Sequence, residues 1–294
     1  MTYSIVARDP HTGELGVAVQ SHWFGVGPIV PWARPGAGAV ATQASVRVAY
    51  GPDALELLAG GMGAADALAE LLAADPGAAS RQLAIVDARG GVAAHTGEAC
   101  MAYAGHVTGE QVSCQANIMA SPAVWPTMLD AFSTAAGPLA SRLIAALDAA
   151  EAAGGDIRGR QSAALVVVPA TGEPWELEVR LHVEDHPEPL AELRRLYELQ
   201  QAYELAGQGD ELTGGGRHEE AAARYEQAFA LAPGNHELLF WAGLGVVATG
   251  ETERGLGLLQ RAIALQPGWA ELLPRLSSDT APAAPLVCAR LGLA

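Results

Sequence analysis

The chain has 294 residues, half of them hydrophobic and 17% charged, with a formal net charge of −16. That length leads to an expectation of two domains, the first of about 190 residues being large enough to bury a full core. The acidic balance repels phosphate backbones and anionic lipid surfaces, so neither nucleic acid nor membrane is expected as a partner, and no apolar run reaches the roughly 18 residues that a membrane span needs.

No positively charged stretch precedes an apolar segment near the start, so the expected location is the cytoplasm. Cys100, Cys114 and Cys288 are widely spaced and lack a CxxC pair, which disfavours disulfides and thiolate zinc; they read as buried small residues. His22, His95 and His106 show no metal-ligand spacing, and the glycines around Gly25, Gly36 and Gly60 lack the strand and helix context of a phosphate loop. Neither a metal nor a cofactor is expected.

Residue Thr2 opens a strand over residues 3–8, and a turn at 9–13 folds the chain back into a second strand over 15–20. Further strands are expected at 27–32 and 37–44. Two helices follow, one starting at Gly51-Pro52-Asp53 and one after Gly63, the second stopped by Asp75-Pro76-Gly77. Strands resume at 82–86 and 92–95, then at 101–106 and 111–119. Helices over 123–134 and 138–152 end at Gly154-Gly155, and a continuous apolar run over 163–168 reads as a strand buried on both faces. Residues 175–183 finish the domain. Runs of strands alternating with helix pairs place it in the α+β class rather than among doubly wound parallel sheets.

A charged helix over 188–207 leads out to an internal repeat. Gly216 and Gly250, Ala228 and Ala262, and Pro233 and Pro267 are each 34 residues apart, the period and the Ala/Pro signature of a tetratricopeptide (TPR) repeat. Fewer than three units are present, so the TPR-like segment at 208–277 is expected to dock its apolar face, with Leu239, Trp241, Leu244, Leu258, Leu259 and Ile263, on the preceding helix and on a homodimer or protein partner. Residues 278–287 read as a loose linker within a C-terminal tail at 278–294. The first domain is bounded at 1–187.

Chemistry centres on Thr2. With Met1 removed, a threonine carries nucleophilic hydroxyl and basic α-amine on one residue, the pairing used by amide-cleaving threonine hydrolases; alternatively, Thr2 is an ordinary second residue. Arg158, Arg160, Gln161 and Ser162 precede the buried strand at 163–168, and two arginines there either clamp a substrate carboxylate, with Gln161 or Ser162 donating hydrogen bonds, or face solvent in a turn held by Asp156. Asn117 is the candidate side-chain donor to an oxyanion, or else a structural strand-closing residue. Thr42 and Gln43 are placed across the sheet from Thr2, lining its pocket. Trp23 and Trp32 are either cleft wall or core, and Glu184-Asp185-His186 reads as a domain-edge turn.

The segments Tyr3 to Asp9, Leu15 to Ser21, Val30 to Arg34, Gly38 to Gln43 and Gly155 to Ala164 resemble the DUF1028 family, placed among the N-terminal nucleophile (Ntn) hydrolases, over residues 1 to about 200. The resemblance implies a four-layer αββα sandwich, and it implies that Arg34 takes the place of the basic residue on the third strand that lowers the amine pKa. It also implies hydrolysis of a carbon-nitrogen amide-like bond in a small substrate, which the arginines suggest bears a carboxylate. A fold of this type that has lost its chemistry and acts as a binding or scaffold protein is the alternative.

Overall fold

Small and β-branched apolar residues at alternate positions build two antiparallel sheets in the amino-terminal part of the protein. The computed structural model describes residues 2–293, which form two compact units, one running through residue 194 and one from 195 onward. The first unit opens with the expected hairpin of β1 (Thr2–Arg8) and β2 (Leu15–Ser21), followed by β3 (Pro31–Arg34) and β4 (Gly38–Ala44). After helices α1 (Tyr50–Ala59) and α2 (Ala64–Ala73) come β5 (Arg81–Asp87), β6 (Val92–Thr96), β7 (Gly105–Gly109) and β8 (Val112–Asn117). Helices α3 (Val124–Thr134) and α4 (Leu139–Ala152), then β9 (Ser162–Val168) and β10 (Val179–Val183), complete it.

Six strands in the order β10-β9-β2-β1-β8-β7 form one sheet and four in the order β3-β4-β5-β6 form the other. Because side chains alternate between faces, Val6, Val17, Val19 and Val166 meet Ala39, Ala41, Ala84 and Val86 in a core between the sheets. The opposite face of the four-stranded sheet, with Val40, Leu83 and Ile85, is covered by α1 and α2. The helices α3 and α4 pack on the six-stranded sheet. Gly154, at φ +116°, lets the chain leave α4 through a backbone region that disfavours a Cβ.

Several boundaries differ from the sequence expectation. Residues 27–30 are a turn closed by bonds from the Ile29 and Val30 amides to the Val26 carbonyl, so β3 starts only at Pro31. Residues 101–104 form a loop whose Met101 and Tyr103 carbonyls accept from the Ile118 and Met119 amides. The strand expected from 175 begins at Val179, with Trp175 exposed ahead of it.

Helix α5 (Pro189–Gly214) extends beyond residue 206, and its later residues Ala202 and Ala206 pack on α6 (His218–Leu231) and α7 (His236–Ala248). Helices α8 (Thr252–Leu265), α9 (Gly268–Leu272) and α10 (Ala284–Leu291) follow. Gly216 and Gly250 both have positive φ, +72° and +95°, at the turns into α6 and α8, so the 34-residue spacing repeats a conformation as well as a residue. The segment read as a loose linker is instead ordered structure. Ala281, Ala283, Ala284 and Val287 are buried against Leu239, Leu244 and Leu259, because small side chains let α10 approach closely. Of the apolar face expected to dock, Leu239, Leu244 and Leu259 are buried within the chain, while Trp241, Leu258 and Ile263 are half-buried. Truncating Val287 to Ala should lower the stability of this unit by about 2 kcal/mol in urea denaturation; an unchanged midpoint would show that α10 is not part of its core.

Candidate functional site

Antiparallel register brings the first residue of β1 between two neighbours: Thr2 lies opposite Ser21 of β2 and opposite Asn117 of β8. The Thr2 and Ser21 hydroxyl oxygens are 3.0 Å apart. With Ser4 and Val6, Thr2 points between the sheets, where apolar packing gives way to a layer of buried amides. Gln82 Oε1 accepts from Gln43 Nε2 at 2.6 Å and from Asn117 Nδ2 at 2.9 Å. The same two amide groups donate to the Thr2 carbonyl at 3.3 and 3.4 Å. Ser4 donates to Gln43 Oε1 at 2.6 Å and accepts from Gln115 Nε2 at 2.6 Å. An unpaired buried amide costs about 1–3 kcal/mol while each satisfied bond returns only about 1, so this layer stabilises the fold only when complete.

The backbone is strained at the same end. Ala44, directly after Gln43, has φ +68°, and Ile118, directly after Asn117, has φ +55°. Left-handed backbone is costly for residues with a Cβ, most of all for β-branched ones, and such strain gathers at functional sites.

A pocket of about 110 Å³ opens on Thr2. Thr2, Ser21 and Gln43 form its polar side, and Trp23, Val26, Ile29, Val30, Ala44 and Val46 its apolar side. Thr2 is only 3% exposed, so a ligand must enter this pocket to meet its hydroxyl.

The remaining sequence-derived candidates are placed less simply. Gln43 is at the site, but Thr42 points to the opposite face of β4, toward the layer of α1 and α2, and donates to the Arg47 carbonyl at 3.2 Å. The position alternation that puts Gln43 inside puts its neighbour outside. Asn117 is at the site, yet both its N–H bonds are spent on Gln82 and the Thr2 carbonyl, so it holds β1 rather than waiting for an oxyanion. Arg34 pairs with Gly38 at the far end of β4 and binds Glu56 of α1 at 3.0 Å; the place that the resemblance gives it beside the Thr2 amine is not filled by it.

The carboxylate clamp is filled from within. Arg158 makes a two-pronged contact with buried Asp156, at 3.1 and 2.8 Å, and Arg160 binds Glu151 at 2.6 Å and also Glu188. Glu151 further accepts from the Tyr3 hydroxyl at 2.7 Å; burial, with this carboxylate second, raises the Tyr3 pKa. Gln161 donates to Asp185 at 3.2 Å, and Ser162 donates to the Trp23 carbonyl while accepting from the Val26 amide at 3.3 Å. Ser162 thereby shapes the pocket wall from behind. Trp23 proves to be the wall and Trp32 part of the helix-side core. The residues that sequence reasoning missed are Ser21, Gln82, Gln115 and Val46. Ser21, Gln82 and Gln115 carried one visible signal, polar residues at inward strand positions, whereas Val46, in a loop, carried none.

The other chemical groups are accounted for locally. The His95 and His106 rings bond to the Ala78 carbonyl and to Thr96, each at 2.9 Å. Burial pushes the Cys114 thiol up. Among the described residues no group of three or more His, Cys, Asp or Glu side chains is arranged to hold a metal, and no helix is long and apolar enough to cross a membrane.

Loop 45–49, which carries Val46, is tied down by an ion cluster. Asp75 accepts from Arg81 Nε at 2.9 Å and from the Tyr50 hydroxyl at 2.7 Å, and Arg81 also donates to the Ser45 carbonyl. The Arg81 hydrogen bond, followed by those of Tyr50 and the Gly77 amide, holds the Asp75 carboxyl well below the usual carboxylate range; burial and the Asp75 contact push the Tyr50 phenol up to about 12. A depressed carboxylate stabilises the fold in full above its unfolded pKa of about 3.9 and loses that contribution as pH falls further. Asp75→Asn should therefore lower stability at neutral pH and flatten the acid limb of the stability profile below about pH 4. An unchanged acid limb in pH-dependent thermal denaturation would contradict this role.

Gln82→Leu leaves the Gln43 and Asn117 amides without their shared acceptor and should cost about 3 kcal/mol, read by denaturant titration. A loss below about 1 kcal/mol would mean that the amide layer is dispensable.

Antiparallel sheets sandwiched between helix pairs, with a pocket at the amino end of a central strand, define the class of the first unit. Residues 2–193 match the family of unknown function DUF1028, and the chain belongs to that family. The protein is similar to a solved structure, the crystal structure of protein SPO2555 from Silicibacter pomeroyi, assigned to the same family. The two are 35% identical, the match covers 67% of this chain and 84% of that one, and the TM-score is 0.62. No curated protein matches.

Proposed function

We propose that the first unit is a hydrolase of the Ntn type that cleaves an amide-like carbon-nitrogen bond in a small molecule, with Thr2 as nucleophile after removal of Met1. The observation that carries this reading is Thr2 lining a pocket, with its hydroxyl oriented by Ser21 at 3.0 Å and its backbone carbonyl held by two amide side chains. The order helix pair, six-stranded sheet, four-stranded sheet, helix pair supports the αββα architecture of such enzymes. Met1 itself lies outside the described residues.

In this mechanism the α-amine of Thr2 takes the hydroxyl proton as Oγ1 attacks the substrate carbonyl carbon. The carbon-nitrogen bond then breaks, the leaving nitrogen accepts that proton, and the acyl group remains as an ester on Thr2. Water, deprotonated by the same amine, hydrolyses the ester to the free acid and restores the hydroxyl. Ser21 orients Oγ1 throughout. The segment at 208–277 completes the proposal as TPR-like helix pairs that recruit a protein partner, supported by the recurrent glycine turns and by Ala228 and Ala262, both fully buried 34 residues apart.

A second reading, a binding protein without chemistry, is favoured by one observation: Arg34 is paired with Glu56 and does not line the Thr2 pocket. Acylation by β-butyrolactone separates the two. Its ring opens on a nucleophilic hydroxyl, and intact mass followed by peptide mapping should place the adduct on Thr2 of chains that begin there, with none on Thr2→Ala or on chains retaining Met1. Absence of the adduct from Thr2-initiated chains would favour the binding protein.

A further inference from the structure

The polar and charged inventory around Thr2 restricts what the pocket accepts. Among the described residues that line it none is charged. The two arginines that sequence spacing offered to a substrate carboxylate are neutralised by Asp156, Glu151 and Glu188, and the chain as a whole carries a net charge of −16. A carboxylate placed here would lose its hydration and gain no side-chain counter-charge, and the Thr2 amine, neutral as the base of the proposed mechanism, supplies none, a cost that disfavours it. Gln43 offers little in exchange. Its Nε2 already donates to the Gln82 side chain and to the Thr2 and Gln115 carbonyls, and its Oε1 accepts from Ser4. Polar recognition therefore falls to the Thr2 hydroxyl, which suits one neutral carbonyl.

The rest of the wall is aliphatic or aromatic, from Val26, Ile29, Val30 and Trp23. Trp23 and Val46 line the pocket and yet are 58% and 36% exposed, forming an apolar lip, and Phe24 beside Trp23 is 67% exposed. Large exposed apolar groups gathered at a pocket mouth mark a binding surface. An apolar cavity of about 150 Å³ accommodates a benzene ring; the 110 Å³ here matches a branched aliphatic group.

We propose that the ligand of this site is an uncharged amide with a short branched aliphatic acyl group, the alkyl chain held by Trp23, Val26, Ile29, Val30 and Val46 and the carbonyl directed to Thr2. The proposal rests on the reading of Thr2 as the reacting residue for its consequence in catalysis, but binding is separable from reaction. Isovaleramide and its carboxylate-bearing counterpart succinamate serve as probes, with affinity measured by ligand-observed NMR on the full chain and on Thr2→Ala.

Isovaleramide is expected to bind both proteins, more than about tenfold tighter than succinamate. Val46→Trp, a substitution at an exposed lip position that fills the mouth, is expected to remove binding while leaving the melting temperature unchanged. Equal or tighter binding of succinamate overturns the proposal, as does isovaleramide binding that Val46→Trp leaves intact or the absence of isovaleramide binding. Isovaleramide binding without any Thr2-dependent turnover of isovaleryl amides would instead leave the pocket assignment standing and remove the hydrolase.

Discussion

One acceptor atom ties the architecture to the site. Gln82 Oε1, on the four-stranded sheet, receives hydrogen bonds from Gln43 of its own sheet and from Asn117 of the other. Both donors reach on to the Thr2 carbonyl. The apolar core between the sheets sets their separation, and the amide layer sets their alignment at one end, because hydrogen bonds have direction and hydrophobic contacts do not. The position of Thr2, the depth of its pocket and the left-handed residues Ala44 and Ile118 follow from that alignment.

A fold arranged in this way invests polar groups where apolar ones would pack more cheaply. An interior of valine and alanine alone would tolerate small shifts of one sheet against the other. Ser4, Gln43, Gln82, Gln115 and Asn117 tolerate none without orphaning an amide. Precision of that kind suits the proposed mechanism, in which a hydroxyl meets a substrate carbonyl at a fixed distance, and the polar layer adjoins the pocket while most of the core between the sheets is apolar.

The fold was legible wherever local pattern decides it. Local pattern marked β1, β2, β4 and β5, a continuous apolar run marked β9, and the spacing of Leu68 and Leu71 marked a helix whose buried face these residues form. The loops were less legible, since residues 27–30 and 101–104 have strand-like composition but the first close a local turn on Val26 and the second bond to the distant Ile118 and Met119 amides. At the candidate site, Thr2, Gln43 and Asn117 could be named from sequence, whereas the contacts that Gln43 and Asn117 make could not. Sequence spacing does not reveal that Asp156, Glu151 and Glu188 occupy Arg158 and Arg160, or that Glu56 draws Arg34 away. Ser21 becomes a functional candidate only through the register of the opening hairpin, and Gln82 only through contacts between strands far apart in the chain.

The central claim is that the Thr2 hydroxyl is a nucleophile facing an uncharged aliphatic pocket, and boron-11 NMR of isobutylboronic acid tests it most directly. The free acid is trigonal, and attack by a hydroxyl oxygen makes the boron tetrahedral. The account predicts a tetrahedral signal with the full chain beginning at Thr2 and its disappearance in Thr2→Ala. A boron that stays trigonal with the Thr2-initiated protein, or a tetrahedral signal that survives Thr2→Ala, would contradict it.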